Sequence, residues 1–409
     1  MYLKITLTKT LNMKKLTLMI AAMLICISAS AQQSLSSRAA VKSPEINPDK
    51  TVTFRLVAPK AVRVQVTGDF LPASPNGMQG VADLVETDGV WTYTTEKPLE
   101  PELYFYNLIV DGLKINDPNN VHMIRDVANV FNVFLIDGGR ADLYKVNDVP
   151  HGTVARVWYD SPVVGFDRRL TIYTPPGYEQ NPKAKYPVFY LFHGAGGDEE
   201  AWIALGRTAQ IMDNLIAQGK AKPMIVVMTN ENMNQEATAG ESSFGFAQQP
   251  SMGGPGSSRS IPDGANFVTA FPDVQKYVEK NYRTINKKSA RAVGGLSMGG
   301  FYTVSVSMEY PDTFDYMGVF SAGMSLSQDP AEKARTEEKI AVQFSKNPKL
   351  YWIAIGRTDF LYDNTKNMRA YFDEKGYPYK YYESDDGHIW RNWRIYLTEF
   401  APLLFQDLK

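Results

Sequence analysis

Ala292-Val293-Gly294-Gly295-Leu296-Ser297-Met298-Gly299-Gly300-Phe301 decides the reading of this chain. Its centre, Gly295-Leu296-Ser297-Met298-Gly299, is a G-x-S-x-G pentapeptide. Such a motif means little alone, but here an apolar strand pattern precedes it and a helical pattern runs to Met308. That is the strand–turn–helix in which a serine is forced into a sharp turn and its Oγ projects over a sheet edge. A tight turn with an idle serine is the plain alternative.

A serine hydroxyl needs a base, because it is barely ionised at neutral pH. The chain has four histidines: His122, His151, His193 and His388. Only His388 follows Ser297, in Asp386-Gly387-His388 after an expected strand at 379–383. The order nucleophile, acid, histidine is that of α/β-hydrolases. The acid should lie between them and end a strand. Asp359 does so, in Trp352-Ile353-Ala354-Ile355-Gly356-Arg357-Thr358-Asp359; Asp363, one turn later, is its rival. Asp385 and Asp386 read as turn residues. An oxyanion forming on a carbonyl needs backbone N–H donors. Met298 offers one. The run His193-Gly194-Ala195-Gly196-Gly197 offers the other, from Ala195 or alternatively Gly194, with His193 propping that loop. Acid and base both come from side chains, so no metal or organic cofactor is implied.

Around this site the chain shows two periodicities. Between residues 50 and 145, Val52, Phe54 and Leu56, then Val62, Val64 and Val66, alternate with polar residues, the period of a strand with one buried face. Leu103 to Val110, Asp111-Gly112 and Leu113-Lys114-Ile115 read as a hairpin, and residues 130–136 as a last strand. From about residue 150, apolar runs at 188–192, 224–228, 292–296, 317–320 and 352–355 alternate with helical stretches at 201–218, 265–281, 299–310, 364–375 and 390–404. Such runs suit a parallel sheet covered on both faces. The expected architecture is an α/β-hydrolase domain over 149–409, preceded by a small immunoglobulin-like β-sandwich over 32–148. Residues 231–263, rich in Gly, Ser and Pro, fit neither pattern. They follow a strand at the carboxyl edge, where open sheets bind ligands, and read as a lid or acceptor loop.

Residues 1–31 read as a bacterial signal peptide with Met13 as the expected start: Lys14-Lys15, an apolar run over 16–27 and the small-residue site Ala29-Ser30-Ala31. The run, about 12 residues, is too short for the roughly 20 of a spanning helix. Cleavage is expected after Ala31, leaving a secreted or periplasmic protein without a membrane anchor. It discards the only cysteine, Cys26, so disulfide and thiolate chemistry are excluded from the mature chain. The formal charge is −1 with no long run of one sign, which argues against a nucleic-acid partner.

With these residues in place, the chain resembles the esterase D-like α/β hydrolases, and within them carbohydrate esterase family 1, the feruloyl and acetyl xylan esterases. The resemblance rests on Tyr190-Leu191-Phe192-His193-Gly194-Ala195-Gly196-Gly197 with Trp202, on Gly295-Leu296-Ser297-Met298-Gly299-Gly300, on Gly356-Arg357-Thr358-Asp359, and on Gly387-His388 with Trp390. It implies Ser297, Asp359 and His388 as triad and Ala195 and Met298 as oxyanion donors. It also implies acylated xylan or its oligosaccharides as substrate. Trp202, Phe244, Phe246 and Trp390 are candidates to line an acyl pocket. The β segment is similar to family 48 carbohydrate-binding modules. It departs from them in having Trp91 as its only tryptophan, so its expected part is to brace the catalytic domain or shape one wall of the cleft. Other readings of the same triad are a siderophore esterase of the enterochelin type and an acyltransferase. Formylglutathione hydrolase is related but compact and cytosolic. A glycan-binding protein with an idle hydrolase domain is the non-enzymatic alternative.

Overall fold

Alternation of period two builds the first part of the molecule. Its strands are β1 (Glu45–Ile46), β2 (Val52–Val57), β3 (Val64–Gly68), β4 (Val81–Asp83), β5 (Val85–Thr87), β6 (Val90–Thr94), β7 (Glu102–Val110), β8 (Leu113–Ile115), β9 (Met123–Asp126) and β10 (Asn129–Ile136). They form one sheet in the order β1-β2-β6-β5 and a second in the order β4-β3-β7-β10-β9, with β8 paired to β7. Val52, Phe54 and Leu56 of one sheet meet Val64, Val66, Tyr106, Leu108 and Phe134 of the other in a shared core, the packing of a β-sandwich. The β7–β8 hairpin turns through Asp111 and Gly112, at φ 49° and 87°. Two successive positive φ values are what a two-residue type I′ turn requires. The computed structural model describes residues 41–72, 79–126, 129–233 and 261–408. The expected leader with Cys26 and Ala31, and most of the expected lid with Phe244 and Phe246, lie outside the described residues.

The second part is an α/β-hydrolase-like domain. Its sheet comprises β11 (Thr153–Ser161), β12 (Phe166–Thr174), β13 (Val188–Phe192), β14 (Ile225–Met228), β15 (Arg291–Leu296), β16 (Tyr316–Phe320), β17 (Leu350–Gly356) and β18 (Lys380–Ser384). The spatial order is β11-β12-β14-β13-β15-β16-β17-β18. β13 to β18 are parallel, whereas β11 and β12 are a long antiparallel hairpin on one edge. Chain order reverses at β13, which pairs β14 on one side and β15 on the other. The carboxyl ends of such neighbours open the crevice where α/β sheets bind ligands.

Seven helices cover the sheet among the described residues: α1 (Ala201–Ala204), α2 (Thr208–Ala217), α3 (Phe267–Asn281), α4 (Met298–Glu309), α5 (Pro330–Ser345), α6 (Tyr362–Lys375) and α7 (Trp390–Phe400). The helix expected over 201–218 is thus two helices, because Arg207 adopts φ 55° and the chain turns there. On one face, Phe271, Val274, Val304 and Phe372 pack with Tyr190, Val293 and Ile353. On the other, Trp202, Trp390 and Phe400 pack with Phe189, Phe320 and Trp352, and Leu103, Phe105 and Val133 of the β-sandwich join them. Ser43–Lys409 is accordingly one compact unit.

The two parts are joined by a buried ion pair. Arg394 of α7 is fully buried and donates to Glu102 Oε1 of β7 at 2.9 Å, to Leu103 O at 3.0 Å and to Leu205 O at 2.9 Å.

Candidate active site

Ser297 occupies the corner between β15 and α4 with φ 53° and ψ −118°, a conformation a side-chain-bearing residue holds only when its surroundings impose it. The surroundings here are glycines. A Cβ on Gly299 would lie 2.4 Å from His193 O, one on Gly295 2.6 Å from Gly299 O, and one on Gly300 2.5 Å from Ala322 Cβ. The first turn of α4 therefore seats directly against the end of β13. The Ser297 N–H donates to Phe320 O at 2.9 Å, fixing the corner to β16. Met298 follows as the first residue of α4, where backbone N–H groups lack intrahelical partners and the helix dipole favours negative charge.

Two strands along the same edge, β17 runs into Asp359; next to it, β18 runs into the turn that carries His388. His388 Nδ1 lies 2.9 Å and 3.0 Å from the two Asp359 carboxyl oxygens. With Nδ1–H as donor, Nε2 carries the free lone pair of the ring. The Asp359 side chain is fully buried, and His388 keeps 17% of its side chain exposed. Burial opposes ionisation of Asp359. The hydrogen bonds from His388, the Leu361 N–H and Ser321 outweigh it and hold the carboxyl below its ordinary range. The imidazole is flanked by Phe360 at 4.4 Å and by Trp393, edge-on, at 5.0 Å between ring centres. Trp393 Nε1 donates in turn to Ser321 Oγ at 3.0 Å. Asp363, the rival acid, is exposed in the first turn of α6. Asp385 pairs with Arg357 and Asp386 with Arg391, as turn residues do.

The loop after β13 closes against the serine. A Cβ on Gly194 would come within 3.4 Å of Ser297 Cβ. Gly197 N–H donates to Gly194 O at 3.1 Å, making a β-turn around Ala195 and Gly196, and Gly196 has the positive φ (77°) that the third position of a type II turn demands. Buried His193 holds this turn: its Nδ1 donates to Gly194 O at 2.6 Å, and its Nε2 accepts from the Glu231 N–H at 3.1 Å. Both ring nitrogens are thereby used in the neutral form. Burial pushes the imidazole down to about 4. Glu231 answers from the end of β14, with Oε2 accepting the His193 N–H at 2.8 Å and Oε1 bonded to Thr229 Oγ. Burial drives its carboxyl well above the usual range. Asn232 Nδ2 adds a bond to Gly197 O at 2.6 Å. No sequence motif contains Glu231 or Asn232; only the pairing of β13 with β14 brings them to the loop.

Trp202 and Trp390 are 1% and 5% exposed, and their rings meet edge-to-face at 5.3 Å. Trp202 Nε1 donates to Phe192 O at 2.8 Å. Both rings pack the core behind the site, so the expectation that they offer an open face to an acyl group does not fit their placement. Among the described residues no group of three or more His, Cys, Asp or Glu is arranged to hold a metal ion, and no helix is long and apolar enough to cross a membrane.

A family model described as "Putative esterase" matches residues 161–404. An endo-1,4-beta-xylanase/feruloyl esterase of Xylanibacter ruminicola is 32% identical over 291 residues, which cover 70% of this chain and 37% of that protein. The chain thus spans little more than a third of that relative's length. A solved ferulic acid esterase is 26% identical, covers 63% of this chain and 99% of its own, and superposes with a TM-score of 0.52. The enterobactin esterase of Shigella flexneri, at 15% identity, shares the fold over 88% of this chain and 94% of its own, with a TM-score of 0.59.

Proposed function

The chain belongs to this esterase family, and on that premise we propose that it hydrolyses carboxylic esters carried by plant cell-wall polysaccharide, feruloyl or acetyl groups on xylan, through an acyl-enzyme on Ser297. The observation that carries the reading is the His388–Asp359 pair, bonded through Nδ1 on the same sheet edge as a strained serine corner. In this reading Ser297 Oγ attacks the ester carbonyl while His388 Nε2 takes its proton. Asp359 holds the ring and stabilises the imidazolium. The carbonyl oxygen, now negative, is received in this reading by the backbone N–H groups of Met298 and Ala195. The imidazolium returns its proton to the leaving sugar oxygen as the tetrahedral centre collapses to the acyl-enzyme. Water then repeats the sequence, releasing the acid and restoring the Ser297 hydroxyl.

The activities for which the Xylanibacter ruminicola xylanase/feruloyl esterase and the ferulic acid esterase are named support feruloyl as the acyl group and xylan as the glycan. The reading also includes export on the leader 1–31 and a functional division of the mature chain at residues 148–149. Turnover of methyl ferulate, acetylated xylan and enterochelin by the purified full chain tests it. Hydrolysis of either of the first two is expected. Hydrolysis of enterochelin alone replaces the substrate class, and hydrolysis of none overturns the esterase reading.

A further inference from the structure

Ser321 ends β16, one strand over from Ser297, with φ 48°, the left-handed region that a residue with a side chain seldom occupies. A corner alone would be better served by glycine, which takes that conformation without steric cost. The serine is fully buried, and its N–H donates to Ala354 O of β17 at 2.7 Å. Its hydroxyl has a direction. Trp393 Nε1 donates to Ser321 Oγ at 3.0 Å, and an indole N–H can only donate. Oγ therefore accepts there and keeps its own proton for another partner. The buried Asp359 carboxylate, beyond the end of the neighbouring strand β17, bonds this hydroxyl, and an ionised carboxylate can only accept. Tyr396 of α7 also reaches Ser321, but its hydroxyl is tied to Ser384 Oγ at 2.6 Å and burial pushes its phenol up, so it brings no charge.

We propose that Ser321 is a positioning residue for the reaction, a fourth polar member that donates a hydrogen bond to Asp359 and so fixes the carboxylate against His388 Nδ1. The role rests on the esterase reading above. Asp359 Oδ1 also accepts the Leu361 N–H at 2.9 Å, and both carboxyl oxygens face Nδ1. Three donors thus hold the acid: one from β16, one from the start of α6 and one from the turn before α7. Trp393 completes the frame, because the indole that bonds Ser321 also lies edge-on to the His388 ring at 5.0 Å. A carboxylate so held stays in register with the ring while the imidazole gains and loses its proton.

The test uses the full chain and p-nitrophenyl acetate. Ser321→Ala removes the hydroxyl alone; Ser321→Gly removes the hydroxyl and the steric cost of the positive φ together. Each should lower kcat about tenfold with KM little changed, the scale of one hydrogen bond to a charged group. Asp359 and His388 titrate as a pair. With one donor fewer the carboxylate takes a proton more readily, so the acid limb of the pH–rate profile should move up by about one pH unit. Ser321→Cys, near in shape with a weaker donor, should fall between. The low-field proton resonance of His388 Nδ1–H, read without substrate, should shift in the same order. Wild-type rates, or slower rates with the acid limb and the resonance unmoved, reduce Ser321 to packing and overturn the proposal. So does a Ser321→Gly protein that behaves as wild type, since strain and not the hydroxyl would then matter. If neither small variant folds, an unmoved acid limb in Ser321→Cys overturns it. A wild type that hydrolyses no ester, with the resonance still shifted in the variants, overturns the esterase reading and leaves the bond from Ser321 to Asp359 standing.

Discussion

Glu231 lies behind the proposed site, and the turn that contains Ala195 is held through it. Its N–H and carboxyl grip the two sides of His193, and His193 in turn grips Gly194 O. Removing the carboxyl leaves the buried His193 N–H without an acceptor, and the turn loosens. Glu231→Ala is therefore expected to lower kcat at least tenfold with a smaller change in KM, short of the roughly 3–4 kcal/mol that loss of a whole oxyanion donor costs. Glu231→Gln keeps an acceptor for the His193 N–H and should recover most of the rate. Equal losses for Ala and Gln would contradict this account. Ser297, His388 and Asp359 could be picked out from the sequence because a pentapeptide, a scarcity of histidines and chain order point to them. Glu231, Asn232 and Ser321 could not, since each acts through a neighbour that only strand pairing supplies.

At the scale of elements, the decisive join is β15 to α4. The glycines there are fixed by contact: a methyl group on Gly299 would sit 2.4 Å from His193 O and 2.7 Å from the backbone of Phe192. Backbone cannot move aside as a side-chain tip does. Gly299→Ala should cost about 1–3 kcal/mol of stability, as overpacking does, and should reduce activity more than stability alone explains, because it pushes Ser297 away from the turn at Gly194–Gly197. Denaturant unfolding alongside esterase kinetics separates the two. The parallel strands were readable because each is an unbroken apolar run. The β11–β12 hairpin was not, because β11, the edge strand, is largely exposed and both strands carry charged residues. Helix α5 was also missed. Its Asp329 N-cap and Pro330 at the first position are start signals, but its first ten residues carry six charges and the helix buries only Ile340, Gln343 and Phe344.

For the whole molecule, the sandwich and the hydrolase domain lie in one compact unit and share polar groups across their contact. Glu102→Ala would leave Arg394 buried without its carboxylate, a change that typically costs about 3–5 kcal/mol. A single cooperative transition at lower temperature is expected by calorimetry; an unshifted melting temperature would contradict it. Asp69 carries a pH signature. Burial raises its carboxyl to about 6, against the Phe105 N–H, Arg394 and Arg391, which favour ionisation. A group that binds its proton more tightly when folded stabilises the fold below its unfolded value, near 3.8, and loses that stabilisation as pH rises through 6. Asp69→Asn removes the dependence, so the variant should gain about 2–3 kcal/mol relative to wild type between pH 4 and pH 7.5. A difference that stays constant with pH would rule this out. The change of periodicity near residue 150 announced two kinds of sheet. That the β segment braces the catalytic domain was expected; which residues make the contact was not legible, because Leu103, Arg125 and Arg394 look like ordinary strand and helix residues until the two parts meet.

In the proposed mechanism Ser297 forms the covalent bond to the acyl group. Ser297→Ala, checked for an unchanged melting temperature and circular dichroism, should lose ester hydrolysis by about 10⁶-fold, the loss seen when a comparable nucleophile is removed. Intact-mass spectrometry of wild type mixed rapidly with p-nitrophenyl acetate should show an acetyl adduct that the variant lacks. A folded Ser297→Ala protein that retains substantial p-nitrophenyl acetate hydrolysis would contradict the account.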